Sequence, residues 1–181
     1  MIFQSAPEWH TTEWFNSESP LSLAQLRGKV VLLHAFQMLC PGCVANALPQ
    51  AKRAAQLFAG APLAVIGLHS VFEHHAVMGA DALRAFLYEY RIDYPVGIDQ
   101  PGDDADPRPL TMRAYAMQGT PTTILIDAEG RLRQHVFGAC DDLWLGAELG
   151  QLLAEAKRPA SPFTSIGTAG GSCAGGVCTP A

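Results

Sequence analysis

Two long apolar runs predict β-strands that are buried on both faces, with a helix between them. Residues 30–36 are apolar except for His34, and residues 63–68 form a second apolar run. The intervening segment 44–58 has helical periodicity, and Pro49 predicts a kink in it. A strand, a helix and a strand in this order predict a right-handed parallel crossover. The apolar positions of the helix are Val44, Leu48, Ala51, Ala55 and Phe58.

A second helix and a loop are predicted in the middle of the chain. Asp81 stands where an N-cap is expected, and the residues after it recur at helical spacing. Asp and Pro dominate residues 99–109, which predicts a loop. Near the start, residues 1–28 are mixed and polar and predict a short hairpin or an irregular cover. The apolar positions of the second helix are Leu83, Phe86, Leu87 and Tyr90.

The C-terminal part predicts a hairpin followed by one more helix. Residues 119–137 divide into two strands around a tight turn at 128–130. Asp141 and Asp142 then open a helix. This hairpin completes a mixed sheet, so the pattern as a whole predicts an α/β protein. The apolar side of the last helix carries Leu145, Leu149, Leu152 and Leu153.

Composition predicts one domain and a tail. The chain has 181 residues, of which 49% are hydrophobic, enough for a single proper core. We assign residues 1–157 to this domain, with residues 1–28 as an N-terminal cover. Residues 158–181 are rich in Gly, Ser and Pro and have little to bury, which predicts a flexible tail.

Charge and targeting signals restrict the partners. The net charge is -5 and Lys and Arg do not cluster, which argues against nucleic acid or an anionic membrane as the main partner. No signal peptide or apolar membrane span is visible, so the expected location is the cytosol. The expected partners are protein or small-molecule disulfides and thiols, together with a reductase or oxidant that the sequence does not identify. No cofactor is expected.

The sequence Cys40-Pro41-Gly42-Cys43 stands where the first strand leads into the first helix. The free backbone N–H groups of a helix start favour a thiolate at Cys40, which suits reversible disulfide chemistry. The alternative is a structural zinc site, which needs four ligands, and neither a second CxxC nearby nor a His pair with zinc-finger spacing is present. Redox chemistry is therefore the preferred interpretation.

Four motifs in order make this chain similar to a known family. They are residues 23–31, the CPGC sequence at 40–43, Gly-Thr-Pro-Thr-Thr at 119–123, and Ile-Asp-Ala-Glu-Gly at 126–130. Together they resemble the thioredoxin-fold redoxins, in the branch shared by thioredoxin-like cytochrome-maturation proteins and the alkyl hydroperoxide reductase/thiol-specific antioxidant group. The resemblance covers roughly residues 5–156 and implies a thioredoxin-like fold.

The resemblance also implies roles for individual residues. Cys40 would be the attacking thiol and Cys43 the resolving thiol. Pro121 would be a cis-proline packed beside them, and Thr120 would present its backbone to an extended substrate peptide. His34 occupies the position, six residues before the first cysteine, at which thioredoxins carry a buried aspartate. A neutral imidazole there could accept the proton of the second thiol, and the alternative is a core histidine bonded to the backbone.

Three positions depart from the family pattern. Leu39 stands before the first cysteine, where the family usually has tryptophan, and Pro49 lies one residue further along than usual. Cytochrome-maturation relatives carry a glutamate shortly after the second cysteine. Asn46 and Ala47 cannot replace its acid–base function.

A cluster of polar and sulfur side chains follows the second strand and suggests an alternative function. His, Met and Cys side chains together could bind a soft metal such as copper, with a polar loop as the simpler interpretation. Because the ends of parallel strands share one edge, the cluster is expected near Cys40. Its members are His69, Glu73, His74, His75 and Met78.

The three remaining cysteines are candidates for a redox relay. The hairpin is expected to bring Cys140 to the same end as Pro121, where it is either a third redox thiol or an inert half-buried one. Cys173 and Cys178 lie in the tail, whose length would let them reach the active site and exchange electrons with the first pair. The alternative is a tail with incidental thiols.

Function is therefore predicted as thiol–disulfide oxidoreductase, with two alternatives. A thiol-dependent peroxidase with antioxidant activity is permitted by the wider family. Peroxiredoxins, however, place Thr or Ser three residues and Pro seven residues before the reactive cysteine, and here these positions are Gln37 and Leu33. The other alternative is a soft-metal-binding protein.

Overall fold

Strand β2 lies in the middle of a six-stranded sheet, and all seven of its residues are buried. The computed structural model describes residues 3–157. The strand order is β1-β4-β3-β2-β5-β6. Strands β2, β3 and β4 are parallel, whereas β1, β5 and β6 run antiparallel to their neighbours. The strands are β1 (Thr11–Phe15), β2 (Val30–Phe36), β3 (Leu63–His69), β4 (Val96–Asp99), β5 (Thr122–Ile126) and β6 (Leu132–Phe137).

Helices cover both faces of this sheet. One face packs against α1, α2 and α4 through a large apolar cluster that includes Leu48, Leu83 and Leu149. The other face packs against α3 and the N-terminal segment, through residues such as Trp9 and Met112. The predicted mixed α/β sheet is thus confirmed. The helices are α1 (Leu48–Leu57), α2 (Ala80–Glu89), α3 (Leu110–Ala114) and α4 (Asp142–Ala156), with short 3-10 helices at Ala24–Leu26 and His75–Val77.

Residues 1–28 were predicted as a hairpin or an irregular cover, and their described part holds one strand and one short 3-10 helix, without a hairpin. β1 pairs with β4, more than eighty residues away, because its half-exposed residues suit a sheet edge. Strand β4 has only four residues and α3 only five, too short for a periodic signal.

The N-cap predicted at Asp81 was wrong. Gly79 is the N-cap of α2. Asp81 lies inside the first helical turn, where its carboxylate pairs with Arg84 at 2.7 Å.

The C-terminal hairpin and last helix were predicted correctly. Strands β5 and β6 pair antiparallel around a turn in which Gly130 has a φ of +77°. At the start of α4, the Asp141 carboxylate accepts hydrogen bonds from the N–H groups of Leu143 and Trp144. The four predicted leucines of α4 are buried. The loop predicted at 99–109 occupies residues 100–109, after β4 ends.

The irregularity predicted at Pro49 takes the form of a π-helical turn at Cys43–Ala47, directly before α1. The N–H of Leu48 bonds to the carbonyl of Cys43, five residues back. Because Pro49 has no N–H, the regular bonding pattern is broken at this point, and a wide turn accommodates the break. The turn keeps Cys43 fully buried beneath the start of the helix.

Within residues 3–157, none of the helices has the length and apolar character needed to span a membrane. The predictions made for residues 158–181, including those for Cys173 and Cys178, lie outside the described part of the chain.

Candidate active site

The two cysteines of the CPGC sequence lie at the carboxyl edge of the parallel strands. Cys40 and Cys43 are at disulfide-bonding distance, with Cα atoms 5.2 Å apart. Cys40 is half-buried, whereas Cys43 has no exposed surface. An external disulfide can approach only an accessible residue, and of the two cysteines only Cys40 is partly exposed.

Two backbone groups face the sulfur of Cys40. The N–H of Cys43 points at it over 3.2 Å, and the carbonyl oxygen of Thr120 lies 3.5 Å from it. An N–H donor at the start of a helix stabilises negative charge. This arrangement therefore favours a thiolate at Cys40 when the pair is reduced.

Pro121, directly before β5, lies next to the CPGC turn and is the third element of the site. The Thr120–Pro121 peptide bond is cis, as predicted. Gly42 lies so close to the proline ring that a Cβ atom built there would be 3.5 Å from Pro121 Cδ. The carbonyl of Pro121 accepts the N–H of Gly138 at 2.8 Å, which fixes this loop to the end of β6.

Comparison with known proteins agrees with this geometry. The family model named Redoxin matches residues 4–139, well over half of the chain. The chain belongs to the Redoxin family. Its sheet and helices also superpose on solved thioredoxin-like structures, so the fold of this redoxin is thioredoxin-like.

Two solved structures share about half of their sequence with this redoxin. A thioredoxin-like superfamily protein is 53% identical with a TM-score of 0.80, over 83% of this chain and 96% of that one. A thiol-disulfide isomerase from Corynebacterium glutamicum is 48% identical with a TM-score of 0.77, over 82% of this chain and 97% of that one. Protein DipZ of Mycobacterium bovis and Mycobacterium tuberculosis is 32% identical over 149 residues, 81% of this chain. The matched region is only 20% of those longer proteins.

His34 lies in the interior of this redoxin, on the sheet face that packs against α1 and carries Cys43. Its Nε2 atom is 2.9 Å from the hydroxyl of Tyr94, and its Nδ1 atom has no hydrogen-bond partner among residues 3–157. Burial lowers the pKa of His34 to about 3, so the imidazole is neutral at physiological pH. Its proposed role as proton acceptor for Cys43 stays a prediction. Tyr94, which was not among the predicted site residues, is its partner.

A pH dependence of stability follows from the buried imidazole. A depressed pKa in the folded state means that stability is present above the unfolded value of 6.5 and is lost as pH falls toward 3. We expect His34→Gln, which keeps a polar partner for Tyr94, to reduce this loss by about 1.4 kcal/mol per pH unit. Urea unfolding of both proteins at pH 7, 6 and 5 measures the difference.

Burial also lowers the pKa of His69, to about 4. Because both proteins keep His69, the difference between their stability curves reports the contribution of His34. Parallel stability curves between pH 7 and 5 would contradict a buried neutral His34.

The predicted metal cluster does not assemble. His69 and Met78 are buried, whereas Glu73, His74 and His75 are exposed. No group of three or more His, Cys, Asp or Glu side chains in the described residues 3–157 is placed to hold a metal ion. The reason is strand geometry, because His69 is still part of β3 and points into the apolar layer against Phe36.

Cys140 follows the hairpin and lies beside α1, and its predicted proximity to Cys40 stays a prediction. Its sulfur is 3.1 Å from Oε1 of Gln50 and 3.9 Å from Oγ1 of Thr123. Burial raises the pKa of the Cys140 thiol, which keeps it protonated and suits a hydrogen-bond donor to Gln50. Its use as a third redox thiol stays a prediction.

Proposed function

We propose that this redoxin is a thiol–disulfide oxidoreductase in which Cys40 attacks and Cys43 resolves. The observation that carries the proposal is the asymmetry of the pair. Cys40 is partly exposed and its sulfur faces the N–H of Cys43, whereas Cys43 itself has no exposed surface. In such a dithiol the exposed cysteine reacts with the substrate first, and the buried cysteine then forms the intramolecular disulfide.

The reaction transfers two electrons between the dithiol and a substrate disulfide. The Cys40 thiolate attacks one substrate sulfur, a mixed disulfide forms, and the other substrate sulfur leaves as a thiolate. Cys43 then loses its proton, with His34 as the proposed acceptor, and its thiolate attacks the Cys40 sulfur. This step releases the second substrate thiol and leaves the Cys40–Cys43 disulfide, and the reverse sequence oxidises a substrate dithiol.

The substrates are protein or small-molecule disulfides and thiols. The carbonyl of Thr120 beside the Cys40 sulfur supports binding of an extended peptide, because backbone groups next to the reacting sulfur can pair with the backbone of an extended chain. The name of the Corynebacterium glutamicum relative, a thiol-disulfide isomerase at 48% identity, also supports this reaction class. The reductase or oxidant that renews the pair and a cytosolic location both stay predictions.

The geometry gives no support to the alternative of a peroxidase. Gln37, at the position of the peroxidase Thr or Ser, turns its amide away from Cys40 and toward Phe72 and Glu73. Leu33, at the position of the proline, is a fully buried residue of β2. Oxidoreductase chemistry therefore remains the function that the site supports best.

Electron exchange with Cys173 and Cys178 is a further part of the proposal. Helix α4 begins two residues after Cys140, and its fifteen residues give it a length of roughly 22 Å. About 16 residues then precede Cys173, and a flexible chain of that length spans roughly 20–24 Å. We therefore propose that Cys173 and Cys178, which lie outside the described residues, exchange electrons with Cys40.

Trapping the reaction intermediate tests the mechanism. We expect Cys43→Ser, incubated with a peptide disulfide, to accumulate a mixed disulfide on Cys40, because the resolving thiol is gone. Peptide mapping by mass spectrometry identifies the linked cysteine. Without added substrate but after oxidation of the Cys173–Cys178 pair, a disulfide between Cys40 and one tail cysteine, with the other tail cysteine released as a thiol, would support the relay.

The two parts of this experiment have separate outcomes. Absence of any Cys40 adduct with the peptide contradicts the proposed mechanism. A peptide adduct without a tail adduct contradicts the relay alone. Cys40→Ser treated in the same way is the matched control, since it lacks the attacking sulfur.

A further inference from the structure

We propose that Gln37 is a positioning residue that fixes an exposed segment beside Cys40 and thereby sets the recognition of peptide substrates. This inference rests on the proposed oxidoreductase function. The segment is residues 73–77, here called the crest, and all five of its residues are exposed. Gln37 itself is only 1% exposed.

Gln37 connects the catalytic turn to the crest through three hydrogen bonds. Its backbone carbonyl accepts the N–H of Cys40 at 3.2 Å. Its side-chain Oε1 accepts the N–H of Phe72 at 3.2 Å, and its Nε2 donates to the Glu73 carboxylate at 3.4 Å. One buried residue therefore holds both the reacting cysteine and the start of the crest.

The crest is held at both ends, and its backbone is not relaxed. Before it, the Ser70 hydroxyl donates to the buried Asp99 carboxylate at 2.9 Å. After it, Met78 is buried in the main apolar cluster. Within it, His74 has a φ of +52°, a left-handed conformation that side chains with a Cβ rarely adopt. Such a conformation persists only where neighbouring contacts hold it, and the Gln37 amide bonds the two residues directly before His74.

The position of the crest points to peptides rather than small disulfides as the affected substrates. Its first residue is hydrogen-bonded to a residue three positions before Cys40. Leu39, between Gln37 and Cys40, is 57% exposed, and Val77 of the crest is 60% exposed. A peptide that extends beyond its cysteine reaches this surface with its flanking residues, preferably apolar ones, whereas a small disulfide contacts only Cys40.

Replacing Gln37 by leucine tests the proposal. Leucine fills a similar volume in the core but leaves the Phe72 N–H and the Glu73 carboxylate without their partner. We expect kcat/KM for a disulfide-bonded peptide with apolar flanks to fall about tenfold, mainly through KM. For 2-hydroxyethyl disulfide we expect kcat/KM to fall less than about twofold. The measured quantity is the ratio of kcat/KM for the peptide to kcat/KM for the small disulfide.

A reversed pair provides the rescue. Gln37→Glu alone places two carboxylates against each other and is expected to resemble Gln37→Leu. Combined with Glu73→Gln, the same bond forms with donor and acceptor exchanged, and the peptide KM should return to within about threefold of wild type. Gln56→Leu, on the exposed side of α1, is the matched control for a Gln-to-Leu change.

The outcomes are distinguishable. Equal losses for the peptide and the small disulfide, or a double variant no better than Gln37→Glu, would overturn the positioning role. If the wild-type protein turns over neither substrate, the oxidoreductase proposal itself fails.

Discussion

Cys40→Ser abolishes disulfide exchange, with turnover expected to fall at least about a thousandfold. The nucleophile is a thiolate, and the N–H of Cys43 stabilises charge on that atom only if it can ionise. A serine hydroxyl stays protonated at neutral pH and cannot form a mixed disulfide. Turnover of a peptide disulfide with dithiothreitol as reductant measures the loss.

Cys140→Ser is the matched control for this substitution. Its thiol has a raised pKa and donates to Gln50, so we expect turnover within about threefold of wild type. Residual activity of Cys40→Ser at the level of this control would show that another thiol attacks. A loss in Cys140→Ser comparable to that in Cys40→Ser would instead support the predicted third redox thiol.

Asp99→Ala is expected to lower the free energy of unfolding by about 3–4 kcal/mol. The carboxylate is 2% exposed and lies at the end of β4. It accepts the N–H groups of Thr111 and Met112 at 2.8 and 3.1 Å, and the Ser70 hydroxyl at 2.9 Å. Alanine leaves all three donors buried without a partner, which detaches α3 from the ends of β3 and β4. Urea denaturation followed by far-UV circular dichroism measures the change.

Asp103→Ala is the control that differs mainly in burial. The Asp103 carboxylate also accepts two backbone N–H groups, those of Ala105 and Asp106, but it is exposed. Water replaces the lost bonds there, so the expected loss of stability is much smaller than for Asp99→Ala. Similar losses of unfolding free energy in the two variants would contradict the idea that Asp99 stabilises the fold because the donors it accepts are buried.

The strands and the catalytic sequence were predictable because their signals are local. The apolar run of β2 can be buried only in the middle of a sheet, and Cys40 and Cys43 are close because a helical turn separates them. Pro121 was placed beside them through the family resemblance, and its ring lies next to Gly42 of the CPGC sequence. The edges were not predictable: β1 and β4 are short, and their pairing depends on what the rest of the sheet leaves open.

The metal cluster shows why proximity in sequence is a poor guide at the end of a strand. His69 and His74 are five residues apart, yet one belongs to a buried strand and the other to an exposed loop. Gln37 shows the converse. Only its spacing to Cys40 was considered in the sequence, while its side-chain partners Phe72 and Glu73 lie thirty-five and thirty-six residues further along.

The sequence by itself determined the fold class and the position of the dithiol, because apolar runs and a helix start act over a few residues. Only the tertiary structure decided what surrounds the dithiol. It brings His34 into contact with Tyr94, sixty residues away, and Cys140 into contact with Gln50. It also places the Gln37 amide between the catalytic turn and the crest. The physical reason is that a buried polar atom must find its partner wherever the packed chain brings one, and packing joins segments that no local pattern relates.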